Sequence, residues 1–400
     1  MKGKKQLSRR EFIKLSALAL GGLAFSGGKN VLPHVSNPNE IIGNEIVANE
    51  IILDDPYAPI FPENTPLGRV CVGGPGTPIS IKTEPFMNAP TVRRAWFDEV
   101  FLWKQQIVTR NDQLSMNVIN QRWVETPEGY IYADVLQPVK HVTHTPVTEL
   151  PELPDGSRGM WVEITTPYAP MGLIKPKEAH QFWIRDDNNL YPRVHYSQIF
   201  WASDIRQHPE RGVTQYLLKQ GPGSLPDEYW VEAAICDPIT PDDIAPIHPE
   251  VDNKRIVVRI RNRGLSTLTC YEGNEEVFFT TVSTGRIDEE TGKSVTPIGS
   301  HTPWRKLVSM HYSANNEFVD FDIPAVGWNF GVEPNGVFIH STYWHNAFGN
   351  MNSAGCINCR PEDAKWIWRW VDPQVDYSYP GLREWQGFGI STPVSVEAVG

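Results

Sequence analysis

The 400-residue chain is short of positive charge: 36 lysines and arginines stand against 47 aspartates and glutamates, a formal net charge of −11. A field of that sign does not draw a protein to phosphate backbones, teichoic polymers or anionic lipid, so no nucleic-acid partner is expected. Apolar runs of membrane-spanning length are also lacking. The run from Leu15 to Phe25 falls well below the roughly 20 residues a bilayer needs. Cysteine is scarce, five in all, and an odd count leaves at least one thiol free whatever disulfides form. No cysteine directly follows the Leu15 to Phe25 run, so a lipid anchor on a mature N-terminal cysteine is not expected.

Abundant residues point to the fold class. With 34 prolines, 31 glycines and 14 tryptophans, the composition predicts turn-rich, mainly β structure rather than helical bundles. The length predicts two or three domains at roughly 100 to 200 residues each. At the N-terminus, Lys2, Lys4, Lys5, Arg9 and Arg10 precede the apolar run, the pattern of a targeting segment. Ser8-Arg9-Arg10-Glu11-Phe12-Ile13-Lys14 resembles a twin-arginine signal. The resemblance implies a signal segment over residues 1–28, the twin-arginine export machinery as a partner, and an extracytoplasmic location in the envelope or medium. An ordinary secretory signal carrying two arginines is the alternative. Ala24-Phe25-Ser26 matches a small-x-small cleavage site poorly and leaves cleavage open.

Residues 29–64, rich in Asn, Glu and Pro without a sustained period, read as a spacer. Two small β-barrel-like modules come next, over 65–145 and 146–248, with short aromatic and β-branched runs between Pro, Gly and Asn clusters. They echo each other at an offset of 100: Tyr130, Ile131, Ala133, Val135, Pro138 and Val139 align with Trp230, Val231, Ala233, Ile235, Pro238 and Ile239. Glu99-Val100-Phe101 aligns with Gln198-Ile199-Phe200 one residue out of step. Duplication of one β unit accounts for this. Gly68-Arg69-Val70, Trp103, Arg122-Trp123-Val124 and Gly129-Tyr130-Ile131 resemble bacterial Src-homology-three-like modules. That likeness implies either a wall-glycan-binding module or a spacer shielding the C-terminal part of the chain.

Residues 252–373 form the next unit, and 374–400 a tail without a usable period. Lys254 to Ile260, Leu265 to Tyr271 and Val277 to Val282 predict a three-strand meander. A helix is expected to begin at Pro361 with Glu362 and Asp363 in its first turn. Ala364, Ile367, Trp368 and Val371 would share one face, and Pro373 would stop it.

Between meander and helix, Val337-Phe338-Ile339 reads as a buried strand delivering His340, and Ser353-Ala354-Gly355 as a turn presenting Cys356. A free thiol has a pKa near ~8.5 and needs a base beside it to act as a nucleophile at neutral pH. Ile339-His340-Ser341-Thr342-Tyr343-Trp344-His345-Asn346, Gly349, Ser353-x-Gly355-Cys356-Ile357-Asn358 and Pro361-Glu362-Asp363-Ala364 resemble the signature of the L,D-transpeptidase (YkuD) catalytic domain. Thr284-Gly285 and Thr296-Pro297-Ile298-Gly299 match its other recurrent pieces in the same order.

The resemblance implies acyl transfer between peptidoglycan stem peptides through a thioester on Cys356, with His340 as the base and no cofactor or metal. The Gly355 and Cys356 N–H groups would hold the oxyanion, the Ser341 carbonyl would orient His340, and Ser353 and Asn358 would brace the loop. Two residues depart from the family pattern. Ser341 stands where Gly is usual, which would cost up to ~1–2 kcal/mol if φ were positive there, and Ala354 stands where a His is often found.

The same residues admit other readings. His340, His345, Cys356 and Cys359 have spacings that suit zinc. Cys356 and Cys359 form a Cys-x-x-Cys pair that could act as an oxidative switch. A hydrolase on the same acyl-enzyme, or a wall-binding protein without activity, also fits. His345, Trp344 and Tyr343 read as an aromatic loop wall. His195, His301 and His311 read as solvated or satisfied histidines, and Asp186-Asp187, Asp242-Asp243 and Glu289-Glu290 as solvated pairs.

Overall fold

The computed structural model describes residues 58–72, 78–109, 121–173, 193–221, 227–261, 264–287, 291–316, 319–386 and 390–399. The proposed signal, most of the spacer, and the pairs Asp186-Asp187 and Glu289-Glu290 lie outside them. Among the described residues no helix is long and apolar enough to cross a membrane. The protein is mainly β, and among the described residues its one α-helix, Pro361–Trp370, comes directly after the strand Ile357–Cys359.

Two five-stranded sheets build the C-terminal part. One holds the expected meander, with Lys254–Arg261, Thr267–Glu272 and Glu275–Thr281 antiparallel in chain order. Its other neighbour comes from the stretch after Pro373: Val394–Val399 pairs parallel with Ile256 to Arg261 and buries Val394 and Val396. In the second sheet the long hairpin Arg305–Asn316 and Val319–Glu333 lies beside the histidine strand, Val337–Ser341. The histidine strand in turn pairs parallel with the cysteine strand, Ile357–Cys359. Inner residues of both sheets, Ile256 and Val258 on one, Phe330, Ile339 and Ile357 on the other, join Ala364, Ile367 and Trp368 of the helix in one core. Pro361 supplies the preset first turn and Glu362 and Asp363 the acidic N-terminus that the helix dipole favours. Trp370 is buried, and Trp366 stacks on Phe278 at 4.3 Å.

Upstream, the offset of 100 residues reappears in the backbone. The 3-10 turn Ala133–Val135 leads into Leu136–Val139, and Ala233–Ile235 leads into Cys236–Ile239. Each second strand pairs with a central one: Gly68 lies between Phe101 and Pro138, and Val162 between Phe200 and Pro238.

The second of these regions is no detached bead. Side chains alternate across a strand, so Val162, Ile164, Phe200 and Ala202 fill a core of their own, while Trp161, Ile199 and Trp201 point into the core of the C-terminal sheets. Trp161 Nε1 donates to the Ser378 carbonyl at 3.1 Å, and Tyr377 Oη to that of Ile239 at 2.6 Å, so the chain after Pro373 closes this seam.

Candidate active site

The parallel register sets His340 opposite Asn358. Cys356 stands in the bend that leads into the cysteine strand, and its thiol reaches the carbonyl of Gly336, the residue just ahead of the histidine strand. The cysteine strand is held on both sides, since Ser283 and Asn358 also exchange backbone hydrogen bonds at 2.9 and 2.8 Å. Residues of the opposite parity, Ile339, Ile357 and Cys359, face the core.

His340 is buried, and its Nδ1 donates to the Ser341 carbonyl at 2.7 Å. A neutral imidazole bound in this way carries its proton on Nδ1 and leaves Nε2 as an acceptor. Burial pulls its pKa down to about 4, the Ser341 carbonyl acting weakly the other way. Cys356 is half-buried, and its thiol donates to the Gly336 carbonyl at 3.5 Å. Burial pushes that thiol up to about 11. At neutral pH the resting pair is thiol and imidazole, not thiolate and imidazolium.

The turn before Cys356 explains why the upstream motif pieces belong with it. Thr296 Oγ1 accepts the Gly285 N–H at 2.8 Å and donates to the Gly355 carbonyl at 2.9 Å. A Cβ on Gly285 would stand 2.8 Å from the Thr296 nitrogen, so only glycine allows this approach. Gly355 has φ +131°, a region that disfavours side chains. Ser353 Oγ receives the Gly355 N–H at 3.1 Å and donates to the Cys356 carbonyl at 2.5 Å. In the resting geometry, then, one of the two expected oxyanion donors already has an acceptor. Ala354 is exposed.

His345 joins the brace. Its Nδ1 accepts the Ala347 N–H at 3.1 Å, and the Asn358 carboxamide lies 2.8 Å from its Nε2. With Nδ1 accepting, the neutral ring carries its proton on Nε2, which the Asn358 amide oxygen accepts once that side chain is turned. Burial, then the neighbouring His340, pulls His345 down to about 3. Tyr343 is buried as a loop wall, with Trp344 stacked on His340 at 5.7 Å.

Sequence reasoning missed Tyr312. Its ring packs 5.1 Å from His340, and its hydroxyl donates to Asn329 Oδ1 at 2.8 Å. Burial first and nearness to Cys356 second hold the phenol well above its ordinary pKa. Nothing local marks it, because hairpin pairing delivers it from a strand that carries none of the motif residues.

The zinc reading fails on geometry. Among the described residues no group of three or more His, Cys, Asp or Glu is arranged to hold a metal, and His340, His345, Cys356 and Cys359 are all described. All five cysteines are free thiols, and Cys359 is buried in the core away from the site. His195, His301 and His311 are satisfied by Asp98, Glu333 and Asp322. Asp243 accepts the Thr240 N–H and hydroxyl in an exposed turn.

Residues 253–396 match the family model described as the L,D-transpeptidase catalytic domain, YkuD. Solved structures with a likeness include L,D-transpeptidases from three organisms. The Enterococcus faecium protein is 17% identical with TM-score 0.27, covering 48% of this chain and 73% of that one. The Mycobacterium smegmatis protein is 13% identical with TM-score 0.27, covering 64% and 99%. The Mycobacterium tuberculosis protein is 18% identical with TM-score 0.26, covering 50% and 90%. Scores this low carry no argument. No curated protein matches the chain. The family match, spanning both C-terminal sheets and every motif piece from Thr284 to Ala364, identifies residues 253–396 as an L,D-transpeptidase catalytic domain of the YkuD type.

Proposed function

We propose that the protein is a peptidoglycan L,D-transpeptidase in which Cys356 is the nucleophile and His340 the base. The supporting observation is the convergence of His340 and Cys356 on Tyr312, whose ring packs 5.1 Å from His340 and whose phenol feels Cys356, with His340 Nδ1 engaged by Ser341 and Nε2 left as acceptor.

Nε2 takes the thiol proton as sulfur attacks the carbonyl of the third, diamino residue of a tetrapeptide stem. The carbonyl electrons move to oxygen, where the Cys356 N–H, and the Gly355 N–H once released from Ser353, receive them. When the oxyanion collapses, the bond to the terminal D-Ala breaks and its nitrogen takes the proton from His340. A side-chain amine of a second stem then attacks the thioester, giving a proton to His340, and the sulfur leaves and recovers it.

Mass spectrometry of disaccharide-tetrapeptide incubated with the purified protein, beside Cys356→Ala, tests this. A crosslinked dimer formed with loss of D-Ala by the wild type alone is expected. Tripeptide without dimer would indicate water as the acceptor, an L,D-carboxypeptidase or endopeptidase, and no change would favour a wall-binding protein without activity.

Export is part of the proposal: Arg9 and Arg10 address the chain to the twin-arginine machinery, and undiminished export after replacing both by lysine would refute it. We also propose that the two upstream regions are copies of one β unit that contacts wall glycan. Co-sedimentation of the full chain with purified sacculi tests this.

A further inference from the structure

The loop between the two site strands, from Thr342 to Gly355, is held from outside the catalytic domain. Arg69 is almost fully buried, with 1% of its side chain exposed. Its Nη1 pairs with Asp98 at 2.7 Å, its Nε and Nη2 both donate to Gln137 Oε1, and Nη2 also donates to the Tyr343 carbonyl at 2.9 Å. Asp98 is buried too and takes Arg193 at 3.0 Å and His195 as further partners. The Tyr343 hydroxyl, at the far end of the same residue, accepts from Gln198 at 3.0 Å and donates to the Pro324 carbonyl at 2.9 Å.

Three residues further on, the 3-10 turn Ala133–Val135 grips the loop again. The Asn346 N–H donates to the Asp134 carbonyl at 2.9 Å and its Nδ2 to that of Ala133 at 3.0 Å. Arg122 donates to the Asn346 carbonyl at 2.9 Å, and Asn350 Nδ2 to Asp134 Oδ2 at 2.6 Å. The corresponding turn of the second region has Ala234 where the first has Asp134. The side-chain acceptor belongs to the copy whose 3-10 turn meets the loop.

We propose that the first upstream β region completes the catalytic centre, and that Arg69 and Asn346 are positioning residues for the segment joining His340 to Cys356. Tyr343 is two residues from the Ser341 carbonyl that orients His340, and Asn346 follows His345, which meets Asn358 opposite His340. A general packing interface would spread its buried polar contacts over the catalytic domain. Here Arg69, Arg122, Ala133 and Asp134 all land between Tyr343 and Asn350.

The inference rests on the reading of Cys356 as nucleophile, so the test includes a readout that does not need turnover. Arg69→Gln and Asn346→Ala, with Arg158→Ala in an exposed ion pair as control, would be compared in the full chain well below their melting temperatures. One readout is kcat and KM for D-Ala release from disaccharide-tetrapeptide; the other is the rate of Cys356 alkylation by iodoacetamide, followed by peptide mass spectrometry. Misplacing reacting groups by about 1 Å costs on the order of a hundredfold in rate. A fall in kcat of at least about tenfold is therefore expected for Arg69→Gln, with a smaller fall for Asn346→Ala.

KM should stay within about twofold, because both side chains are buried and neither can meet substrate. Alkylation of Cys356 should change in both variants and not in Arg158→Ala. Folded variants with wild-type kcat and alkylation rates overturn the proposal. Should Arg69→Gln fail to fold, Asn346→Ala, which removes only the hydrogen bond to Ala133, decides it. A wild type that releases no D-Ala refutes the proposed activity, and the alkylation comparison still judges the brace.

Discussion

The Gly327 N–H donates to Ser341 Oγ at 3.0 Å, between the histidine strand and the long hairpin strand beside it. This contact accounts for the serine at a position where the family usually has glycine. Ser341 lies within a regular strand and is not among the residues with positive φ, so it bears none of the strain that glycine would have relieved. Its hydroxyl instead satisfies a buried backbone donor.

Ser341→Gly should therefore destabilise the protein, by about 1–3 kcal/mol, because the Gly327 N–H is left buried without an acceptor. Activity per folded molecule should change little, since His340 is oriented by the main-chain carbonyl of Ser341, which the substitution keeps. Urea unfolding beside D-Ala release separates the two effects. A variant as stable as the wild type would show that the contact contributes nothing.

A chain ended at Pro373 should fail to fold. It would lose Val394–Val399, which pairs with six residues of the first meander strand, and the chain carrying Tyr377 and Ser378 at the seam with Trp161. Burying each of Val394 and Val396 alone is worth about 1.5–3 kcal/mol. Circular dichroism and solubility of the truncated protein give the answer; a soluble, cooperatively unfolding fragment would contradict it.

That strand marks where sequence reading stops. Val394-Ser395-Val396-Glu397 does alternate, but so short a run, far from its partner in sequence, carries no hint that it pairs parallel with Lys254–Arg261. The meander, the helix from Pro361 and the ends presenting His340 and Cys356 were legible because periodicity, caps and turn glycines are local signals. Tyr312 beside His340, and Arg69 on the Tyr343 carbonyl, depend on contacts between distant segments, and Arg69 read simply as one residue of a β module. Thr296 is intermediate: its motif was visible, but its hydroxyl bridging Gly285 and Gly355 was not.

The two buried histidines predict acid sensitivity. Burial holds His340 at about 4 and His345 at about 3, against an ordinary value of 6.5. As pH falls below 6.5 the unfolded chain takes up protons that the folded state refuses. Stability is therefore complete above 6.5 and is lost as pH falls toward 4. His345→Gln removes one such group, and its stability should fall less steeply in that window, by up to about 1.4 kcal/mol per pH unit. Urea titrations at intervals between pH 7 and 4 measure the slopes; equal slopes would mean that His345 is protonated in the folded state.

The reactivity of Cys356 should follow its burial. A thiol pushed up to about 11 beside an imidazole pulled down to about 4 is no preformed ion pair. The thiolate fraction is then small at neutral pH and grows roughly tenfold per pH unit below the thiol pKa. Alkylation by iodoacetamide, which draws on the free thiolate, should keep climbing from pH 6 through pH 9 without a plateau. A preformed thiolate–imidazolium pair would give the opposite profile, flat across neutral pH and falling only in acid. In catalysis the proton must move to His340 Nε2 as the sulfur attacks. His340→Gln should therefore abolish D-Ala release while slowing alkylation at pH 9 much less, since at high pH solvent hydroxide can take the proton. A flat profile, or equal loss of both activities, would show that the thiolate forms before substrate arrives.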